Sequence, residues 1–174
     1  PPSSRQGFSR SSLDLAAYFA ANGYVDTGAL LPEPNRFNFA GNSWTVELWF
    51  RPGMDLEGNL FSYESYDGHS FKLALENGYP VGGIYSGGID GTAIVKVGGE
   101  VASGLLMPLL PNDEWTHLAL VWDPANSSMR LYVNGVSMIA QQMSTPATVN
   151  IGAGEAHLGK GLTDGYLDEF RVWR

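Results

Sequence analysis

Residues 114–136 read EWTHLALVWDPANSSMRLYVNGV. Two largely apolar runs, 115–122 and 129–133, flank the segment DPANSS, whose residues are all small or turn-forming. The chain is therefore expected to reverse there and to pair its two arms as antiparallel strands. The Asn134-Gly135 pair that follows accepts positive φ and predicts a type I′ hairpin turn into a third strand. Such a meander is too hydrophobic to face water on both sides, so it needs a second sheet to cover it.

Strand patterns recur along the rest of the chain. Residues 43–51 read SWTVELWFR, and alternation places Trp44, Val46, Leu48 and Phe50 together on the core face. Further strand candidates lie at residues 60–63, 70–75, 83–85, 93–97, 156–159 and 165–173. A spacing of about 8–12 residues between strands is typical of an all-β sandwich.

Three tryptophans are expected to pack between the two sheets. Trp44 belongs to the early strand, and Trp115 and Trp122 bound the first run of the central meander. Large aromatic rings fill the space between packed sheets well. We therefore assign all three to the core.

Composition limits the fold and the partners. The chain has 174 residues, with Gly 22, Pro 10 and only 16% charged residues, which suits short strands joined by turns. The net charge of −8 argues against a nucleic-acid partner. The absence of cysteine excludes disulfides and thiolate zinc sites. No apolar run is long enough to span a bilayer, so we expect no membrane insertion.

The chain length fits one domain. Residues 1–12 are polar and irregular and are interpreted as the end of a linker, and residues 13–174 as a single β-sandwich domain. We expect the domain to be covalently part of a larger multidomain protein.

Three segments resemble the laminin-G-like and pentraxin-like domains of the concanavalin A-like lectin/glucanase superfamily. Residues 43–50 are similar to the early strand of these domains, 115–135 to their central hairpin and 165–173 to their last strand. The resemblance implies an all-β jelly-roll β-sandwich of two antiparallel sheets. It does not choose a function, because this fold hosts lectins, adhesion modules, glycosidases and lyases.

The residue patterns do not favour catalysis. Glucanases of the superfamily carry catalytic carboxylates that alternate along one strand, whereas Asp168 and Glu169 are adjacent and should point to opposite faces. Glu47 has no carboxylate two residues away, and His69 and His157 are isolated in the sequence. Gly-x-Ser-x-Gly and His-x-x-x-His motifs are absent from the sequence. We therefore expect no enzyme activity.

The resemblance implies calcium as a cofactor, because laminin-G-like domains often hold an ion at the rim of the sandwich. Asn22 stands where many relatives carry an aspartate, Asp168 lies in the closing strand, and Asp26 is a further candidate. Alternation puts Asp168 on the face of Phe170 and Val172, where a carboxylate needs either a metal or backbone N–H donors. Both interpretations of Asp168 stay open.

A carbohydrate site needs aromatic faces beside polar groups that read hydroxyls. Two neighbouring segments, SYESYDGH at 62–69 and YSGGID at 85–90, combine both. The candidate ligand-binding residues are Tyr66, Asp67, His69, Tyr85 and Asp90. The alternative is two ordinary hairpin turns whose tyrosines cap the core.

The leading hypothesis is a non-catalytic binding or adhesion module of a secreted or cell-surface protein. It would recognise a glycan or an extracellular protein, assisted by calcium. One alternative is a domain related to glycoside hydrolases or polysaccharide lyases, which carboxylates roughly 5–10 Å apart in a groove would favour. The other is a purely structural spacer or assembly domain, which predicts a flat interface patch and no ligand.

Overall fold

The computed structural model describes residues 17–20, 23–26, 42–54, 56–66, 68–100, 109–142, 149, 151–152 and 154–173. Within these ranges the regular structure is entirely β, in strands numbered along the chain. They are β1 Ala17–Ala20, β2 Val25–Asp26, β3 Trp44–Pro52, β4 Gly58–Ser65, β5 His69–Glu76, β6 Tyr79–Ser86, β7 Thr92–Gly98, β8 Thr116–Asp123, β9 Ser128–Val133, β10 Val136–Gln142, β11 Gly154–Leu158 and β12 Asp164–Trp173. None of these residues forms a helix with the length and apolar character that a membrane-spanning segment requires.

The strands form two antiparallel sheets. Sheet A has the order β1-β12-β3-β8-β9-β10, and sheet B has the order β2-β11-β4-β5-β6-β7. The inward side chains of both sheets form one apolar core. The predicted all-β jelly-roll β-sandwich is confirmed.

The central meander forms as predicted. Strands β8, β9 and β10 are neighbours in sheet A, and Asn134 and Gly135 turn the chain with φ values of 50° and 77°. At the other turn the Asp123 carboxylate accepts hydrogen bonds from Ala125 N at 3.1 Å and Asn126 Nδ2 at 2.7 Å. The side-chain hydrogen bond from Asn126 is the main reason that the pKa of Asp123 is lowered.

Two of the three predicted core tryptophans lie in the core. Trp44 and Trp122 are each 2% exposed, and Trp44 packs on Phe71 with ring centroids 4.4 Å apart. The assignment of Trp115 was wrong, because this side chain is 38% exposed. Trp115 precedes Thr116, whose buried side chain begins the inward face of β8, so the indole points outward, 5.9 Å from the Arg51 guanidinium.

A bulge in β12 overturns the predicted face of Asp168. Asp168 pairs with Trp49 and Arg171 with Glu47, with a register shift between the two pairs. Glu169 takes a φ of 48° at this bulge. The shift changes the alternation, so Asp168 lies on the outer face of sheet A with Trp49 rather than beside the partly buried Phe170 and Val172.

Candidate functional site

The outer face of sheet B carries a polar surface. In β5 the inward residues are core apolar side chains, so the alternate residues Ser70 and Lys72 point outward. Ser62 on β4 lies directly between His157 on β11 and Lys72 on β5. We call this surface the polar face; its side chains are Asp26, Ser62, Glu64, Tyr66, Ser70, Lys72, Glu76, Tyr85, Asp90, Lys96, Glu155, His157 and Lys160.

A network of charged and aromatic groups runs across one half of this face. His157 Nδ1 is 3.7 Å from Glu64 Oε1, and His157 Nε2 is 3.8 Å from Glu155 Oε2. The Lys160 ammonium contacts the same oxygen of Glu64. The Tyr66 hydroxyl donates to Glu155 Oε1 at 3.0 Å. His157, isolated in the sequence, is therefore at the centre of a cluster.

The two glutamates of this network form a pair. Glu64 and Glu155 are register partners on adjacent antiparallel strands. Their side chains therefore leave the sheet side by side, with Cβ atoms about 4.5–5.5 Å apart. A comparison of residues within single strands could not reveal this pair, because its members lie on two different strands.

Lys72 and Tyr85 occupy the other half of the polar face. The Lys72 ammonium is 5.2 Å from the Tyr85 ring centroid and 3.5 Å from Asp90 Oδ1. The Tyr85 ring lies across Gly83, where a Cβ would come within 2.7 Å of the hydroxyl oxygen. Burial raises the pKa of Tyr85, so the hydroxyl remains a hydrogen-bond donor at neutral pH.

Three buried polar atoms of this face make no hydrogen bond. They are Ser62 Oγ, Tyr85 Oη and His157 Nδ1, in side chains that are 0%, 5% and 5% exposed. A buried polar atom without a partner costs stability, so it usually has a functional reason. Thr116 Oγ1 and Ser128 Oγ in sheet A also lack a hydrogen bond, so these atoms count toward a site only together with the exposed groups of the polar face.

The structure brings some of the predicted ligand-binding residues together. Tyr66 and Tyr85 lie on the polar face, and Asp90 lies at the rim of this face, where it contacts Lys72. His69 begins β5 on the side of the sheet that faces the core, so it does not join them. Asp67 lies outside the described residues.

The predicted calcium ligands lie on different elements. Asp26 is on β2 in sheet B, Asp168 is on β12 in sheet A, and Asn22 lies outside the described residues. Asp168 Oδ1 instead accepts the backbone N–H of Glu169 at 2.7 Å. Among the described residues there is no group of three histidine, aspartate or glutamate side chains that could hold a metal ion. Calcium therefore stays a prediction.

A separate shallow recess lies on sheet A at the ends of β9 and β10. Its lining residues are Asn126, Ser128, Arg130, Ala140, Gln141 and Gln142. It contains neither an aromatic ring nor a carboxylate. The polar face is therefore the better candidate for a binding site.

The sequence itself matches a known family. A laminin G family model, described as the concanavalin A-like lectin/glucanases superfamily, matches residues 20–174. The chain belongs to this superfamily. None of the curated proteins matches it in sequence.

Solved structures of low sequence identity share the fold. The IT-sialidase CBM40 of Ruminococcus gnavus superposes with a TM-score of 0.65 at 13% identity, covering 90% of this chain and 88% of that one. Domains LG4-5 of the mouse laminin alpha1 chain give 0.63 at 14% identity, covering 90% and 40%. The NanB sialidase from Streptococcus pneumoniae gives 0.63 at 18% identity, covering 91% and 25%. The chain also spans 63% of a heptameric pentraxin from Limulus polyphemus.

Proposed function

We propose that this domain is a non-catalytic glycan-binding module whose site is the polar face of sheet B. One observation carries the proposal: the exposed Tyr66 and the paired carboxylates Glu64 and Glu155 lie together on one face of sheet B. An aromatic ring can stack on the CH face of a sugar, and carboxylates accept hydrogen bonds from its hydroxyls.

Tyr66 is the best-placed stacking residue. Its ring is 70% exposed, and the hydrogen bond to Glu155 holds it in place. The Glu155 side chain is itself 53% exposed. A sugar that stacks on Tyr66 would therefore have a carboxylate within reach of its hydroxyls.

The comparisons support a binding module. The Ruminococcus gnavus CBM40 has been solved bound to α2,3-sialyllactose, with a TM-score of 0.61 to this chain at 13% identity. Other relatives by structure are laminin LG domains and the binding domain of a Paraclostridial mosquitocidal protein. By analogy we propose that the domain works outside the cell, as part of a larger protein.

A glycan array with the purified domain tests this function, and Tyr66→Ala tests the site. We expect at least a tenfold loss of affinity for the bound glycan in Tyr66→Ala, with an unchanged melting temperature because the ring is exposed. The matched control is Tyr132→Ala on β9 of sheet A, which should bind normally. Equal losses in both variants would contradict the site. An array without any bound glycan would contradict the function and favour a protein partner or a structural spacer.

A second candidate function rests on the Glu64–Glu155 pair. Glycoside hydrolases use two carboxyl groups roughly 5–10 Å apart, and these two both approach the His157 imidazole. Release of reducing ends from the glycan found on the array would favour hydrolysis if it vanished in Glu64→Gln and in Glu155→Gln. Unchanged glycan after long incubation would favour binding alone.

A further inference from the structure

The lysines of the polar face are already paired. Lys72 contacts Asp90 at 3.5 Å, Lys96 contacts Glu76 at 2.7 Å, and Lys160 contacts Glu64. Each of these cations therefore has its own carboxylate. The charge of each lysine is therefore balanced before a ligand binds, which weakens its attraction for an anionic ligand.

Carboxylates outnumber lysines on this face. Glu155 and Asp26 add two acidic groups to the three that pair with lysine. The hydrogen bond to Glu155 raises the pKa of Tyr66, and the negative charges of Glu155 and Asp26 raise it further. The field around the proposed stacking ring is therefore negative, in a domain whose net charge is −8.

This acidic surface also carries buried hydroxyls that have no hydrogen-bond partner. Ser62 Oγ and Tyr85 Oη are buried without a hydrogen bond, and the register places both side chains on the polar face. A hydroxyl can donate and accept, so these groups suit a ligand that does both. Sugar hydroxyls have this property, whereas a carboxylate or sulfate only accepts.

We propose that the polar face binds an uncharged sugar and discriminates against acidic sugars such as uronic, sialic and sulfated residues. This inference rests on the proposed function and specifies its ligand class. The exposed Glu155 carboxylate, which is not one of the three paired with lysine, can accept hydrogen bonds from neutral hydroxyls but repels a second anion.

The test is calorimetric titration with sugar pairs that differ in one charge. The probes are oligosaccharides of glucose and of glucuronic acid, of galactose and of galacturonic acid, and lactose against sialyllactose. For any pair that binds, we expect at least tenfold tighter binding of the neutral member, and an affinity that is insensitive to salt up to about 1 M. Equal or tighter binding of the acidic member, weakened by salt, would overturn the inference while leaving glycan binding intact. If neither member of any pair binds, the inference and the proposed function both fail.

A charge-neutralising variant tests whether the polar face sets the preference for neutral over acidic sugars. Glu155→Gln keeps the shape of the side chain but removes one charge beside Tyr66, so the neutral-to-acidic preference should fall at least threefold. Glu114→Gln, an exposed change before β8 on sheet A, is the matched control and should leave the preference unchanged. An unchanged preference in Glu155→Gln would show that the polar face does not set it.

Discussion

Removal of the Trp122 side chain should clearly lower the free energy of unfolding. Its indole is 2% exposed within the core between the sheets. We expect Trp122→Ala to lower the free energy of unfolding by about 3–5 kcal/mol, because it leaves a large cavity. Denaturant unfolding measures this change. Trp115→Ala is the control and should cost at most about 1 kcal/mol, since that ring is on the surface. Equal losses would place Trp115 back in the core.

The tryptophans also show which side-chain positions the alternation of a strand can predict. Trp44 and Trp122 follow a strict period of two within long strands, so their burial could be read from the sequence. Trp115 precedes the first residue of β8, and its face depends on where the strand begins. Asp168 was misplaced for a related reason, since the bulge at Glu169 changes the alternation and no residue type in that segment announces it.

At the scale of the strand, β6 offers a test that separates stability from binding. Gly82 and Gly83 are adjacent and face opposite sides of the sheet. A Cβ at Gly82 would lie 2.2 Å from Leu120 Cδ1 in the core, whereas one at Gly83 would lie 2.7 Å from the Tyr85 hydroxyl on the polar face. We expect Gly82→Ala to lower the free energy of unfolding by about 1–3 kcal/mol through overpacking.

Gly83→Ala should instead displace the Tyr85 ring. We expect at least a fivefold loss of glycan affinity, with a smaller loss of stability than in Gly82→Ala, as measured by titration and denaturant unfolding of both variants. Full affinity in Gly83→Ala would remove Tyr85 from the site. A stability loss equal to that of Gly82→Ala would show that the outer face is packed as tightly as the core.

Hairpins could be predicted from the sequence, but the site could not. The turns after β8 and β9 depend on local residues, namely DPANSS and Asn134-Gly135. Glu64 and Glu155 are 91 positions apart in the chain, and only the pairing of β4 with β11 brings them together. Tyr66 was recognisable because its segment combines aromatic and polar residues, whereas His157 carried no such signal.

For the whole molecule, the two outer faces differ in the polar groups that they carry and in the partners of those groups. On sheet A, Glu47 accepts a hydrogen bond from Trp173 Nε1 at 3.0 Å and lies 3.6 Å from both Arg171 and His117. That cluster joins three strands and leaves the carboxylate surrounded by donors. On sheet B the lysines are paired, while buried hydroxyls are not. Buried atoms without a hydrogen bond also occur in sheet A, at Thr116 Oγ1 and Ser128 Oγ, so the choice of sheet B as the binding side depends on its exposed tyrosine and its paired carboxylates.

The position of Asp168 on the outer face of sheet A allows a test of the calcium prediction. On this face Asp168 Oδ1 accepts the backbone N–H of Glu169. We expect Asp168→Asn to leave the difference between thermal melts in calcium and in EDTA unchanged. An ion at a hundred times its Kd adds about 2.7 kcal/mol, or several degrees at this chain length, so its loss would be easy to measure. A calcium-dependent rise that disappears in Asp168→Asn, but persists in an Asp113→Asn control, would restore Asp168 as a metal ligand. The bulge at Glu169 could stay closed in that case, because the N–H of Glu169 occupies only Oδ1 and leaves Oδ2 of Asp168 for the ion.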